Sequence, residues 1–104
     1  MSVPDRWEWA LFRAGDRNYY GSCWRHWGLH RTADGWDRVV HLPSGRSLTN
    51  FDRLRIARRF CEAIDGLADW SKVGSQIDTA GRLQMHREAL RLTDGLPQLR
   101  VIQP

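Results

Sequence analysis

The sequence predicts an α+β fold: a three- to four-stranded antiparallel sheet followed by two helices, the first packed on the sheet. Three observations carry this. Period-two alternation between turn residues fills the first half, and a 3.6-residue apolar period takes over near residue 52. The third is size, because 104 residues suit one small domain with one core, so residues 1–104 are read as a single unit. The sheet is expected over about residues 6–49 and the helices over about 52–67 and 76–92.

The first expected strand runs from Trp7 to Arg13, with Trp7, Trp9 and Leu11 on one face. Ala14-Gly-Asp-Arg17 is turn chemistry, since Gly and Asp tolerate the angles of a tight reversal. Asn18 to about Leu29 is rich in Tyr and Trp and reads as a second strand. Asp34-Gly35 is a hairpin signal, and Trp36 to Leu42 follows as a third. After the Pro43-Ser-Gly-Arg46 turn, Ser47-Leu-Thr49 makes a short fourth.

Asn50 or Asp52 is placed to cap the first helix. Its apolar residues from Leu54 to Leu67 cover about half the circumference, with Leu54, Ala57, Cys61 and Ile64 expected inside. Arg55, Arg58, Arg59, Glu62 and Asp65 take the other half. Asp69-Trp70-Ser71 is expected to break the helix. In the second helix Met85, Ala89 and Leu92 form one apolar stripe, while Ala80, Leu83 and Leu90 form another nearly opposite. A helix apolar on two sides is either sandwiched in its own fold or shared, so Met85, Ala89 and Leu92 are a candidate homodimer contact. Gly95 is a plausible cap, and Leu99-Arg-Val-Ile102 either adds a late strand or trails.

Composition narrows the classes of function. Apolar residues are 41% and charged residues 27%, a globular rather than a disordered mixture. No stretch approaches the roughly 18–20 apolar residues of a membrane helix, and the start does not read as a secretory signal. No membrane partner is expected. Two cysteines, Cys23 and Cys61, are too few for a disulfide framework and fit free thiols in the cytoplasm.

The net charge is +4, of which the chain beyond Asp52 carries +3. Basic residues are fifteen Arg to one Lys, and the planar Arg fork suits phosphate and stacks on aromatics. GC-rich coding would give the same skew unless the arginines share a face. Arg55, Arg58 and Arg59 do share the outer side of the first helix, with Arg46 and Arg53 at its approach. The plainer alternative is a solvated face in which Glu62 pairs with Arg58 or Arg59.

Five of the six tryptophans lie between Trp7 and Trp36, interleaved with Arg25, Arg31 and Arg38. Alternation cannot bury them all: Trp24 and Trp27 have opposite parity in one strand unless a bulge intervenes near Gly21 or Gly28. The plainer reading is large rings filling a thin core, and the functional alternative is a surface whose rings stack on bases or anchor a protein interface. Cys23-x2-His26-x3-His30, with His41 nearby, looks like half a metal site, but no second pair stands at standard spacing, so no metal or other cofactor is expected. His41, Ser44, Asp37 and Tyr20 fit no established catalytic motif.

The expectation is a non-enzymatic module that binds nucleic acid through Arg46, Arg53, Arg55, Arg58 and Arg59, with Arg25, Arg38, Trp24 and Trp27 of the sheet. The competing class is a small phage- or plasmid-type inhibitor or adaptor, of the anti-CRISPR or anti-restriction kind, docking on a host protein or nucleoprotein complex. A third is a small basic ribonuclease-like toxin working with His, Arg and Tyr.

Overall fold

A computed structural model describes residues 6–71 and 79–92. It shows a five-stranded antiparallel sheet followed by two helices, the first packed on the sheet. The strands are β1 (Glu8–Ala14), β2 (Arg17–Trp24), β3 (Trp27–Arg31), β4 (Asp37–His41) and β5 (Arg46–Phe51). They pair as a meander in the order β1-β2-β3-β4-β5. The helices are α1 (Leu54–Ile64), followed by a 3-10 turn (Asp65–Leu67), and α2 (Thr79–Leu92). The second helix's expected start at Gln76, its Gly95 cap and the Leu99–Ile102 segment lie outside the described residues.

The sheet has one strand more than expected because the Asn18–Leu29 segment reverses in its middle. Trp24 pairs with Trp27 across a two-residue turn, with Arg25 at φ +52. An arginine pays a steric penalty at that angle, and contacts from elsewhere hold it there. Its guanidinium sits 2.9 Å from Asp65 at the end of α1 and 5.8 Å from the Trp24 ring centroid. Asp65 also accepts a hydrogen bond from the Trp27 indole at 3.1 Å. One carboxylate therefore ties the β2–β3 turn to the helix, and the reversal places both tryptophans on the same face.

That face carries the core. Trp27, Leu29, Val39 and Phe51 of the sheet pack against Ala57, Phe60, Cys61 and Ile64 of α1, all buried. Leu54 is only half-buried, at the rim of the first turn. Arg53, in extended conformation, occupies the position before α1 with no side-chain cap, in place of the expected Asn50 or Asp52. Past the helix, Trp70 turns back into the core. Its ring meets Trp27 edge-on at 4.8 Å, and its indole donates to the Ile64 carbonyl at 2.9 Å, satisfying one of the groups a helix end leaves open.

The other face of the sheet is covered by the sheet itself. β2 stays paired with β1 down to Arg17 but pairs with β3 only over Ser22–Trp24, so the outer half of the β1–β2 hairpin leaves the sheet at Gly21. It bends back over the surface opposite α1. Phe12 lies over Gly21 and Gly28, and Tyr19 stacks on His30 with ring centroids 4.0 Å apart. The β1–β2 turn at Gly15 reaches the β4–β5 turn at Gly45.

Candidate functional site

Folding over gives the β1–β2 hairpin an inner face and an outer face, and alternation sorts the side chains between them. Phe12 and Tyr19 point inward. Trp9, Leu11 and Arg13 on β1 share the outer face with their register partners Ser22, Tyr20 and Asn18 on β2. The helix reaches only the near end of this surface, so Trp9 is 57%, Leu11 74% and Tyr20 63% exposed. Trp9 and Tyr20 stack on each other with centroids 6.0 Å apart and planes at 24°. Large apolar side chains left open as a contiguous group mark a contact surface more reliably than isolated ones do.

The surface adjoins the basic flank of α1. Arg58 donates from Nε and Nη2 to the Ser22 hydroxyl at 3.2 and 3.0 Å, and lies 5.8 Å from the Trp7 ring centroid. Ser22 is the register partner of Trp9, so the guanidinium stands at the border of the exposed stack. Glu62 accepts from the Trp7 indole at 2.9 Å. Among the described residues it forms no ion pair with Arg58 or Arg59, the plainer alternative read from the sequence. Arg55 and Arg59 are exposed on the outer ridge of α1 and, with Arg46 and Arg53, have no carboxylate partner among the described residues. Arg55 lies one turn before Arg58 on the same flank.

The expected contact residues do not form a single cluster. Arg53, Arg55, Arg58 and Arg59 belong together on α1. Arg25 sits by the helix C-terminus, engaged with Asp65, and Arg46 pairs with His41 in the neighbouring part of the sheet. Arg38 pairs in register with His30 and shares its face, opposite α1. Trp27, expected at the surface, is fully buried, because the reversal at Arg25 turns it under α1. Trp24 is half-buried against Trp7, with centroids 5.5 Å apart. The contact surface falls instead on Trp9, Leu11 and Tyr20.

The expected dimer stripe is also displaced. Met85 and Ala89 are buried in the common core, with Leu92 packed against it, so this side of α2 serves its own fold rather than a two-fold contact. Leu83 and Leu90 of the second stripe are the more exposed pair, and the side chain of Ala80 lies outside the described residues.

The polar groups that suggest a metal or catalysis in the sequence are held by the fold. Among the described residues no three His, Cys, Asp or Glu side chains converge as metal ligands. Burial pushes the Cys23 thiol up to about 11 and the Cys61 thiol well above its ordinary value. His41 has Nε2 2.7 Å from the Trp70 carbonyl, which can only accept, so Nδ1 is left to accept from the Ser44 hydroxyl at 2.8 Å. Asp37, at the other end of β4, is paired with Arg31 at 2.8 Å. Tyr20 belongs to the exposed stack.

His30 is different. It is buried under Tyr19 and Phe12, and its Nε2 has no hydrogen-bond partner. Burial, with Arg38 across the strand pair, lowers its pKa, and burial likewise lowers that of His41. Both rings thus take up protons less readily in the folded chain than when unfolded. Stability from these groups is full above the ordinary histidine value near 6.5 and falls as pH drops through it. His30→Phe is expected to stabilise by about 1 kcal/mol at pH 7.5, by removing the unpaired nitrogen, and to lessen the acid loss. Urea melts at about pH 7.5 and about pH 5 check this; a variant as acid-sensitive as the parent would take His30 out of the pH response.

No described helix is long and apolar enough to cross a membrane. Compared with protein-family models, with curated proteins and with solved structures, the chain matches none.

Proposed function

We propose that this chain is a non-enzymatic binding module that contacts nucleic acid through the outer arginines of α1 and the outer face of the β1–β2 hairpin. The observation that carries the reading is the exposed Trp9–Tyr20 stack bordering arginines that have no acidic partner among the described residues. Exposed aromatic rings offer base-stacking platforms, and arginines left unpaired offer phosphate contacts. Bases present their faces in single strands and not in a duplex, so single-stranded targets fit this surface better. A cytoplasmic setting accompanies the reading, since both cysteines are free thiols.

Fluorescence anisotropy with random single-stranded and duplex oligonucleotides, repeated across salt, tests it. Arg55→Gln with Arg59→Gln should flatten the log–log salt dependence on single strands by about 0.7 for each phosphate no longer neutralised. These two are preferred to Arg58, which is tied into the fold through Ser22. Trp9→Ala and Tyr20→Ala should each cost about 1–3 kcal/mol for a base that no longer stacks. Absence of salt-dependent binding to either oligonucleotide would refute the reading.

Leu11 favours a second reading. Among the described residues it is the most exposed of the large apolar side chains, and it cannot stack on a base. Trp, Tyr and Leu bordered by arginine also make a protein anchor, which suits a small inhibitor or adaptor of the anti-CRISPR or anti-restriction kind docking on a host protein or nucleoprotein complex. Under that reading the aromatic substitutions dominate the loss, and the rim arginines act mainly on association rate.

A further inference from the structure

The sheet has two edge strands, β5 and β1, and among the described residues only β5 carries an irregularity. β5 pairs with β4 through a register shift between Val39 and Val40, an irregularity of the kind that discourages further strand pairing. β1 pairs with β2 without interruption from Glu8 to Ala14, contains neither Pro nor Lys, and exposes Trp9 and Leu11. A regular, apolar strand at an open edge is a template for another strand.

The hairpin also says which backbone groups are open. A two-residue turn, Gly15-Asp16, makes Ala14 and Arg17 the closing hydrogen-bonded pair, so Ala14, Phe12, Ala10 and Glu8 bond toward β2. Trp9, Leu11 and Arg13 turn their N–H and C=O groups outward.

We propose that a second copy of this chain pairs along β1, antiparallel, with Leu11 opposite its own counterpart. The register is self-complementary. β1 is centred on Leu11, so this pairing overlaps all of Glu8–Ala14. It sets Trp9 against Arg13 twice, as cross-strand cation–π pairs, and Glu8 against Ala14, so no like charges face each other. The outward groups of Leu11 meet the outward groups of its counterpart, as a hydrogen-bonded pair requires. The two-fold axis is normal to the sheet, so both Trp9–Tyr20 stacks end on the same side, flanking the central leucines. The contact is small for a dimer, so association is weak and concentration-dependent. It stands apart from nucleic-acid binding and is tested without it.

Sedimentation velocity from about 5 to about 500 μM should show monomer passing to dimer, as expected of a micromolar contact. Leu11→Pro removes one outward N–H and leaves the β2 ladder intact, so it should keep the fold by circular dichroism and stay monomeric throughout. Register is read by cysteine cross-linking under mild oxidation, with Cys23 and Cys61 buried and out of reach. Leu11→Cys should give a disulfide dimer, its α-carbons being about 5.5 Å apart in such a pair. Arg13→Cys should not, with its two copies about 13 Å apart along the strand. A wild-type chain monomeric at the highest concentration would overturn the proposal. So would a folded Leu11→Pro variant that still dimerises, or an Arg13→Cys variant that cross-links as fast as Leu11→Cys. If Leu11→Pro does not fold, the cysteine pair decides alone.

Discussion

Gly21→Ala should destabilise the fold by about 3 kcal/mol or more, at or beyond the upper end of what overpacking costs. A Cβ at Gly21 would land on the Leu29 carbonyl oxygen, 2.9 Å from its carbon and 3.1 Å from Phe12 Cε1. The first obstacle is backbone. It can give way only by parting β2 from β3 beside the Ser22–Leu29 pair, where the hairpin bends. Gly28→Ala is the informative comparison. Its Cβ would meet the Leu42 side chain at 2.8 Å and the Phe12 ring at 3.1 Å. Side chains can shift, so the cost there should be nearer 1–2 kcal/mol. Chemical denaturation of both variants ranks them. A Gly21→Ala variant within 0.5 kcal/mol of the parent, roughly the range of neutral surface changes, would mean that the hairpin does not cross β3 this closely. The outer face carrying Trp9, Leu11 and Tyr20 would then have to be placed anew.

Much of this fold is legible in the sequence because its signals are local. The 3.6-residue spacing of Ala57, Phe60, Cys61 and Ile64 is enough to define the buried side of α1. Asp34-Gly35 supplies the positive-φ glycine that the β3–β4 connection needs. Arg25-His26 carries no such chemistry. Its reversal depends on Asp65, which reaches Arg25 and Trp27 from the far end of α1, and no window of local sequence contains that contact. Local signals alone therefore favour one long strand, and a single strand puts one of Trp24 and Trp27 at the surface.

The candidate surface is half legible for a related reason. Period two places Trp7, Trp9 and Leu11 on one face, but not how far along that face a helix will reach. The helix covers Trp7 through Glu62 and Arg58 and stops there. Glu62 shows the same limit from the other side: helical spacing places it to serve an arginine, and the Trp7 indole, just before β1, donates to it instead. In α2 both apolar stripes are visible in the sequence, while the choice of Met85 and Ala89 as the inner one is made by α1.

Trp27→Ala should cost about 3–5 kcal/mol, the range for removing a large buried ring, and so a major share of a small domain's stability. The ring is fully buried where β3, the end of α1 and the Trp70 segment meet, and His41 packs at 5.7 Å on the same side. Removing it also takes the indole donor from Asp65, leaving that carboxylate to Arg25 alone at a turn already strained by its positive φ. Trp27→Phe separates the two effects. It keeps most of the ring and loses the hydrogen bond, for which about 1–2 kcal/mol is expected. Thermal and urea melts of the two variants should therefore fall in that order. The ranking bears directly on function, because Trp9→Ala removes a ring that is more than half exposed and should scarcely move the melting temperature. A tryptophan whose loss abolishes binding without loss of fold belongs to the contact surface, and Trp27 should fail that criterion where Trp9 meets it. If Trp27→Ala melts with the parent while Trp9→Ala unfolds, the burial of the two rings is the reverse of that described.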